Sequence, residues 1–261
     1  MSTIVGGLLD NDSKFGRLMT RLGIIIAANL LFVIVSMPVI TIGPAFVALY
    51  HVMLKTLRGD GQINPFKEFW KGLKSNFKQS ILLWILSLLV GVFFYFDFKI
   101  VMHAEGLIGK VRYPLFAIAF VLLGVLLYTF YTMAAFADTI PHLIRNAIFF
   151  MIKNPWNMIV ILFFHVFPMY LTYSDPQTMP LYAFIWVFFG FGAIAMIGAS
   201  LLLPLMKPYL PLVNELGDFI LDEEGNVVMP GQEEEAMLAS DGMAHEPTEQ
   251  ETLEMMMKLG M

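Results

Sequence analysis

Five long stretches of this chain contain no Asp, Glu, Lys or Arg, and they constrain its fold more than any other feature. They cover residues 22–54, 79–96, 113–137, 154–174 and 176–206, and each is rich in Leu, Ile, Val and Phe. A helix needs about 20 mostly apolar residues to cross the hydrocarbon core of a bilayer. Each stretch therefore predicts at least one crossing, and the predicted fold class is all-α, a polytopic transmembrane helix bundle.

The composition agrees with a bilayer as the solvent. Of 261 residues, 58% are hydrophobic and 14% are charged, whereas soluble domains carry about a quarter charged residues. An ordinary soluble enzyme is excluded, because much of its exterior has to remain polar. The chain has no cysteine, which excludes disulfides, thiolate metal sites and cysteine nucleophiles.

The first uncharged stretch is too long for a single crossing. Its 33 residues would form a helix of roughly 50 Å, against a hydrocarbon core of roughly 30 Å. Pro38, Gly43 and Pro44 disfavour a continuous helix near its middle. We predict two helices, over 18–37 and 41–57, and therefore six crossings in all. One long kinked helix, with five crossings, is the alternative.

The distribution of Lys and Arg favours six crossings. Six crossings place 13 basic residues on the inner side, against only Lys99, Lys110 and Arg112 outside, whereas five crossings give 10 and 6. Cytoplasmic loops collect Lys and Arg. We therefore expect a multi-pass membrane protein with both termini in the cytoplasm.

Residues 64–78 predict an amphipathic helix that lies in the membrane plane on the cytoplasmic side. Asn64 is a good N-cap, Pro65 suits the first helical position, and aromatic residues recur at steps of three and four beside a stripe of lysines. This pattern is typical of an interfacial helix. The residues predicted to contact lipid headgroups or a partner are Phe66, Lys67, Phe69, Trp70, Lys71, Lys74, Phe77 and Lys78.

A second in-plane helix is predicted over 139–154, and each in-plane helix leads directly into a crossing. A shift of 78 residues places Tyr50 on Tyr128 and Asn76 on Asn154. The unit of inward helix, in-plane helix and outward helix thus occurs twice in one orientation. We predict a duplicated hairpin, with copies at 41–98 and 113–175.

Few ionisable or amide side chains lie within the uncharged stretches. Such groups are costly in a bilayer and are candidates for function. The candidates are His165, His51 and Asn29. For His165 the two interpretations are a structural bond to a backbone carbonyl or neighbouring helix, and proton coupling or substrate contact. His51 suits an interfacial position, and Asn29 a hydrogen bond between helices.

Several short motifs resemble the YesL-like family of bacterial integral membrane proteins, whose function is unknown. They lie within residues 15–210, and the clearest are Pro38-Val39-Ile40-Thr41-Ile42-Gly43-Pro44-Ala45, Ala48-Leu49-Tyr50, Arg58-Gly59, Phe66-Lys67-Glu68-Phe69-Trp70 and Ala135-Phe136-Ala137-Asp138-Thr139. The resemblance implies an accessory role in the bacterial plasma membrane, and the family's frequent association with carbohydrate uptake transporters suggests sugar import. It transfers no catalytic residue.

The composition changes sharply near the C-terminus, which divides the chain into a transmembrane domain, 1–214, and an acidic tail, 215–261. The tail holds 13 Asp and Glu but one Lys, whereas residues 1–214 hold 15 Lys and Arg against 8 acids. We expect the tail to be largely disordered in the cytoplasm, because it cannot form a core. Residues 221–228 could form a small hairpin within it.

No enzymatic motif is found, so we expect a protein that is not an enzyme, with no catalytic residue, metal site or cofactor. The short basic stripe is linked to the membrane, so no nucleic acid is expected. The leading hypothesis is a non-enzymatic accessory or regulatory factor of a transport system. Its expected partners are the lipid bilayer and subunits of a sugar transporter or another membrane protein, and an oligomer is compatible with the small residues of the last crossing. The alternative is a small transporter or channel with a path between the two hairpins.

Overall fold

The fold is a bundle of α-helices. The computed structural model describes residues 14–59, 63–175, 177–213, 220–222 and 226–230. Its helices are α1 (Lys14–Val35), α2 (Ile42–Arg58), α3 (Pro65–Ser75), α4 (Phe77–Met102), α5 (Gly106–Lys110), α6 (Arg112–Ala135), α7 (Ile140–Lys153), α8 (Pro155–Ser174), α9 (Met179–Ile185) and α10 (Phe191–Met206). Five π-helical residues, Trp186–Gly190, join α9 to α10. None of the described residues forms a β-strand.

Six helical segments in the described part of the chain are long and apolar enough to cross a membrane. They are Phe15–Val35, Val39–Arg58, Phe77–Met102, Ile108–Ala135, Pro155–Ser174 and Met179–Tyr209. The first uncharged stretch is divided as predicted, because a 3₁₀ turn over Val39–Thr41 separates α1 from α2. The predicted all-α bundle with six crossings is confirmed. The side of the membrane on which the termini lie stays a prediction.

Helix α2 is the centre of the bundle. It contacts α1, α3, α4, α6 and α10, and eleven of its seventeen residues are buried. Lipid is as apolar as Leu, so helices in a membrane associate through close packing and polar contacts. Small residues of α2 permit this packing: a Cβ on Gly43 would strike Trp84 of α4.

A second close approach joins α6 to α10. Tyr131 of α6 is fully buried and lies directly against Gly198, where a Cβ would overlap the tyrosine hydroxyl. The hydroxyl donates to the carbonyl of Ala195, at 3.3 Å. Gly198, one of the small residues of the last crossing, therefore permits close packing within this bundle.

The two predicted in-plane segments, α3 and α7, lie at the same end of the bundle. At this end Asn76 donates to the carbonyl of Met133 (2.9 Å), and Asn157 to that of Leu201 (2.8 Å). These bonds join the start of α4 to the end of α6, and the start of α8 to the last turns of α10. We call this the basic end, because it carries Lys55, Arg58, Lys67, Lys71, Lys74, Lys78, Arg145, Lys153 and Lys207.

The order of elements repeats as the duplication requires. Helices α2, α3 and α4 are followed by the equivalent α6, α7 and α8. Asn76 and Asn154 each separate a short helix from the long one that follows. Superposition of 41–98 on 113–175 stays a prediction.

The segment after α10 folds back on itself. Leu221 and Val227 form an antiparallel bridge, and the amide of Leu212 donates to the carbonyl of Val228 at 2.8 Å. The predicted hairpin thus adjoins the transmembrane domain, and Val228 is buried. The rest of the predicted acidic tail, 215–219, 223–225 and 231–261, and the predicted disorder there, lie outside the described residues.

An apolar groove of about 280 Å³ lies between α4 and α6, which belong to different hairpins. Its lining includes Leu83, Val90, Gly91 and Leu126, and its two hydroxyls, on Ser87 and Thr129, donate to carbonyls of their own helices. Most of the surface of α4 is exposed and apolar, as suits a helix in contact with lipid.

We expect Gly198→Ala to lower the stability of the protein, because the added methyl would overlap Tyr131. Overpacking of this kind costs about 1–3 kcal/mol, and it exceeds the roughly 1 kcal/mol that Ala gains over Gly in a helix. The measurement is the melting temperature of the purified protein in detergent. Gly91→Ala is the matched control, since nothing lies within 4 Å of its position. Equal melting temperatures for the two variants would contradict the close α6–α10 contact.

Candidate functional site

Helix α3 begins where the sequence predicts. The side-chain oxygen of Asn64 accepts from the amides of Phe66 (3.1 Å) and Lys67 (3.2 Å), and Pro65 is the first helical residue. Asn64 thereby satisfies two amides that the first turn leaves without a partner. The start of the helix is fixed, and with it the direction in which each side chain points.

The aromatic residues of α3 divide between two environments. Phe66 and Trp70 are 55% and 46% exposed, and Phe77, at the start of α4, is also exposed. Phe69 has no exposed surface and lies with Leu73 in the core. The prediction that Phe69 contacts lipid headgroups or a partner is therefore wrong, because α3 uses this side of its apolar face to pack on the bundle.

The four predicted lysines form a separate exposed face. Lys67, Lys71, Lys74 and Lys78 are all exposed, and none of them makes an ion pair with another described residue. We call them the lysine face of α3, although Lys78 lies in the first turn of α4. It adjoins the exposed Phe66 and Trp70, so cationic and aromatic side chains are presented together.

A buried carboxylate holds α3 against α2. Glu68 is only 6% exposed, and its two oxygens contact Lys55 Nζ at 3.1 Å and His51 Nε2 at 3.3 Å. His51 Nδ1 lies 3.3 Å from the carbonyl of Ala134, at the end of α6. Both atoms that face the ring nitrogens of His51 are acceptors, the carbonyl oxygen of Ala134 and the carboxylate of Glu68. Three helices are thus joined through one side-chain network.

The network favours the ionised form of Glu68. The hydrogen bond from His51 is the largest cause, with Lys55 adding to it, and together they lower the pKa of Glu68 from 4.5 to about 2, although burial opposes them. The carboxylate is therefore charged throughout the physiological range. A buried charge of this kind requires its partners, because removing one of them leaves the other uncompensated.

The sequence predicts His51 at the membrane interface, whereas no role was predicted for Glu68. A usable signal was present: His51 and Lys55 are four residues apart, so they lie on one helical face. Glu68 is the acid in a helix otherwise charged by lysines. What the sequence could not show is that α3 turns this acid inward.

His165 makes a bond within its own helix and another across to α2. Its Nδ1 donates to the carbonyl of Ile161 at 2.7 Å, which leaves Nε2 as the acceptor. The hydroxyl of Tyr50 lies 3.2 Å from Nε2 and donates to it. These are the bonds expected of a structural histidine. A proton-coupling or substrate role for His165 stays a prediction.

Tyr50 also belongs to a buried aromatic cluster in the centre of the bundle. Its ring stacks on the ring of Tyr131 of α6, with the centroids 3.8 Å apart. The ring of Phe46, one turn earlier in α2, also stacks with Tyr50, with the centroids 5.7 Å apart. The hydroxyl of Tyr128 is buried close by in α6, without a hydrogen-bond partner among the described residues. The contact between the two hairpins at α2 and α6 is thus filled by stacked rings.

Asn29 satisfies the backbone where the last crossing changes its helical pitch. Its side-chain nitrogen donates to the carbonyls of Trp186 (2.9 Å) and Val187 (2.7 Å), and its oxygen accepts from the amide of Gly192 at 2.8 Å. A π-helical turn disrupts the regular hydrogen bonds, and backbone groups in a bilayer need partners. Asn29 therefore makes the bonds between helices that were expected of it.

Helix α7 differs from α3 in its charges. Leu143, Ala147 and Phe150 are buried, while Asp138 pairs with His142 in solvent at 3.0 Å. The backbone amide of Thr139 is the largest cause that lowers the pKa of Asp138. The lysine face of α3 has no equivalent on α7, where Lys153 instead lies over the rings of Phe149 and Tyr209.

The described chain has six apolar crossings, buried hydrogen bonds between them and a lysine face at one end. These features define a polytopic α-helical membrane protein. The sequence model of a family described as "Protein of unknown function, DUF624" matches residues 25–98, which run from α1 through α4. The resemblance to the YesL-like family is confirmed over this segment.

The chain is also similar to a protein of Bacillus subtilis (strain 168) described as "Uncharacterized protein YteU". The two are 29% identical over 128 residues, which cover 47% of this chain and 58% of the relative. The matched part thus spans less than two thirds of that relative. No solved structure matches the chain.

We expect Glu68→Gln to destabilise the attachment of α3, because it removes the carboxylate from Lys55 and His51. The folded pKa of Glu68 lies below its ordinary value, so its stabilisation is present above about pH 4.5 and is lost as the pH falls towards 2. The wild-type melting temperature should decline over this range, and the variant's should decline less. Melting curves in detergent at several pH values measure both. Glu105→Gln, an exposed acid at the other end of the bundle, is the control and should match the wild type.

We expect a double-mutant cycle on Tyr50 and His165 to show coupling of about 0.5–1.7 kcal/mol, the range for hydrogen bonds within membranes. Tyr50→Phe removes the donor from His165 Nε2, and His165→Phe removes the acceptor. The double variant should therefore lose less than the sum of the single variants. Stability is measured by denaturation in mixed micelles. Tyr128→Phe is the control and should cost nothing, since its hydroxyl has no partner among the described residues. Additive losses at Tyr50 and His165 would contradict the bond.

Proposed function

We propose that this protein is a non-enzymatic accessory or regulatory factor of a membrane transport system, with carbohydrate uptake as the class of transport. The observation that carries the proposal is the lysine face of α3, displayed from a helix that Glu68 fixes to the bundle. A surface held in this way binds a partner with little loss of conformational freedom. The family resemblance supplies the transport context.

The interior of the bundle supports an accessory role over a transporter. Stacked Tyr50 and Tyr131 fill the contact between α2 and α6. The groove between α4 and α6 is lined by apolar side chains, and its two hydroxyls already bond to their own helices. A sugar needs polar groups to replace its bonds to water, and in the groove both of these hydroxyls already have a partner.

The exposed surface supports binding at the basic end. The lysine face carries charge for an acidic partner surface or for lipid headgroups, while Phe66 and Trp70 beside it provide apolar area. Aromatic side chains are enriched at binding interfaces and at the membrane boundary. In this proposal the basic end is cytoplasmic and meets the cytoplasmic side of a transporter.

The test is association with transporter subunits in native membranes. The full chain is purified by affinity under mild detergent, and sugar transporter subunits are quantified. Changing Lys67, Lys71, Lys74 and Lys78 together to Gln should reduce their recovery by about tenfold, which corresponds to about 1.4 kcal/mol. Lys99→Gln with Lys110→Gln, at the opposite end, is the matched control. His165→Phe should also retain the subunits.

Two results would contradict the proposal. One is that no transporter subunits are recovered, or that the lysine-face variant and its control recover equal amounts of them. The other is sugar uptake into liposomes that contain this protein alone, which would favour the transporter alternative.

A further inference from the structure

The lysine face needs a counter-charge that the described basic end does not supply. Glu68 is already bound to Lys55 and His51, and Asp138 is bound to His142. The carboxylate of Asp222 accepts from Asn226. Asp97, Glu105 and Asp175 lie at the opposite end of the bundle, at the ends of crossings or in the connection between them. Four exposed lysines on neighbouring turns repel one another unless an anionic group approaches them.

The chain itself carries the largest block of acidic residues. Residues 231–261, outside the described part, hold eight Asp and Glu and one Lys. Three of the acids are consecutive: Glu233, Glu234 and Glu235. The sign and density of this charge complement the lysine face.

The described part of the chain that precedes the acidic segment lies at the basic end of the bundle, where the lysine face is. Val228 is hydrogen-bonded to Leu212, and the neighbouring Pro211 accepts a hydrogen bond from Arg58, in the last turn of α2. Lys55, one turn earlier in α2, contacts Glu68 of α3. The segment that ends at residue 230 and helix α3 are therefore both connected to the last turns of α2.

The length of the remaining segment is ample. Its 31 residues span up to roughly 100 Å when extended, at about 3.3 Å per residue. The three consecutive glutamates follow residue 230 within five positions. Because the acidic segment is part of the same chain, its encounter with the lysine face is intramolecular, which raises its effective concentration there.

We propose that the acidic segment 231–261 docks on the lysine face of α3 and covers it when no partner is bound. The inference rests on the proposed function, because it names a regulator of the same surface. A partner then has to displace the segment, so the apparent affinity of the protein falls by the fraction of molecules that are covered. Docking of this kind weakens with salt, since the Debye length shortens from about 10 Å at 0.1 M to about 3 Å at 1 M.

The absence of cysteine permits a direct test by paired spin labels. Ser75→Cys, exposed at the end of α3, is combined with Met237→Cys in the full chain, which is purified in zwitterionic detergent without other proteins. We expect a population of short distances between the labels at about 0.1 M salt, reduced at least about fivefold at about 1 M. Lys110→Cys, on the opposite end, replaces Ser75→Cys in the control pair and should give no short distances.

Charge exchange separates docking from simple proximity. Changing Glu233, Glu234 and Glu235 to Lys should remove the short distances, and adding Lys67→Glu, Lys71→Glu and Lys74→Glu should restore them. Distances that do not respond to salt or to charge reversal would overturn the proposal. It would also be overturned if the segment stayed away in detergent while anionic vesicles alone shielded the lysine face.

The outcome is independent of the transport proposal, because the labels report on the purified chain by itself. Docking without recovery of transporter subunits would leave the inference standing and remove the proposed function. If transporter subunits are recovered but the labels never approach each other, the proposed function stands and this inference is removed.

Discussion

The buried ion pair of Glu68 determines how the basic end of this protein is arranged. Its carboxylate contacts Lys55 and His51, and His51 reaches the end of α6. Ionised groups with little exposed surface require close partners of opposite charge. Helix α3 is therefore held in one rotation about its axis, with Phe69 and Leu73 against the bundle. The same rotation directs the lysine face outward, so one interaction inside the protein determines which charged surface α3 exposes.

Away from the basic end, hydrogen bonds between uncharged groups are the specific contacts that join one crossing to another. Asn29 joins α1 to the last crossing, Tyr50 joins α2 to α8, and Tyr131 joins α6 to α10. Each bond sits beside close packing against a small residue or a stacked ring. Apolar contact alone does not distinguish a helix from the surrounding lipid. These few bonds therefore give the bundle its particular arrangement.

The sequence predicted the crossings well and the surfaces of α3 less well. Uncharged length and proline positions gave six helices, and the break near Pro38 lies where the structure has a 3₁₀ turn. Asn64 caps α3 as expected. Phe69 was assigned to the exposed face because helical periodicity places it near Phe66 and Trp70. Periodicity gives the angle between side chains, but it does not say which part of a wide apolar face meets the protein and which part meets lipid.

The sequence by itself determined the class of this protein, the number of its crossings and the charge of its basic end, because these depend on composition and local spacing. Only the tertiary structure decided that Glu68 is buried, that His165 accepts from Tyr50 and that Asn29 serves a π-helical turn. Each of these contacts joins residues distant in the chain or on separate helices. Their partners are selected by how the helices pack, and packing is a property of the whole bundle rather than of any one segment.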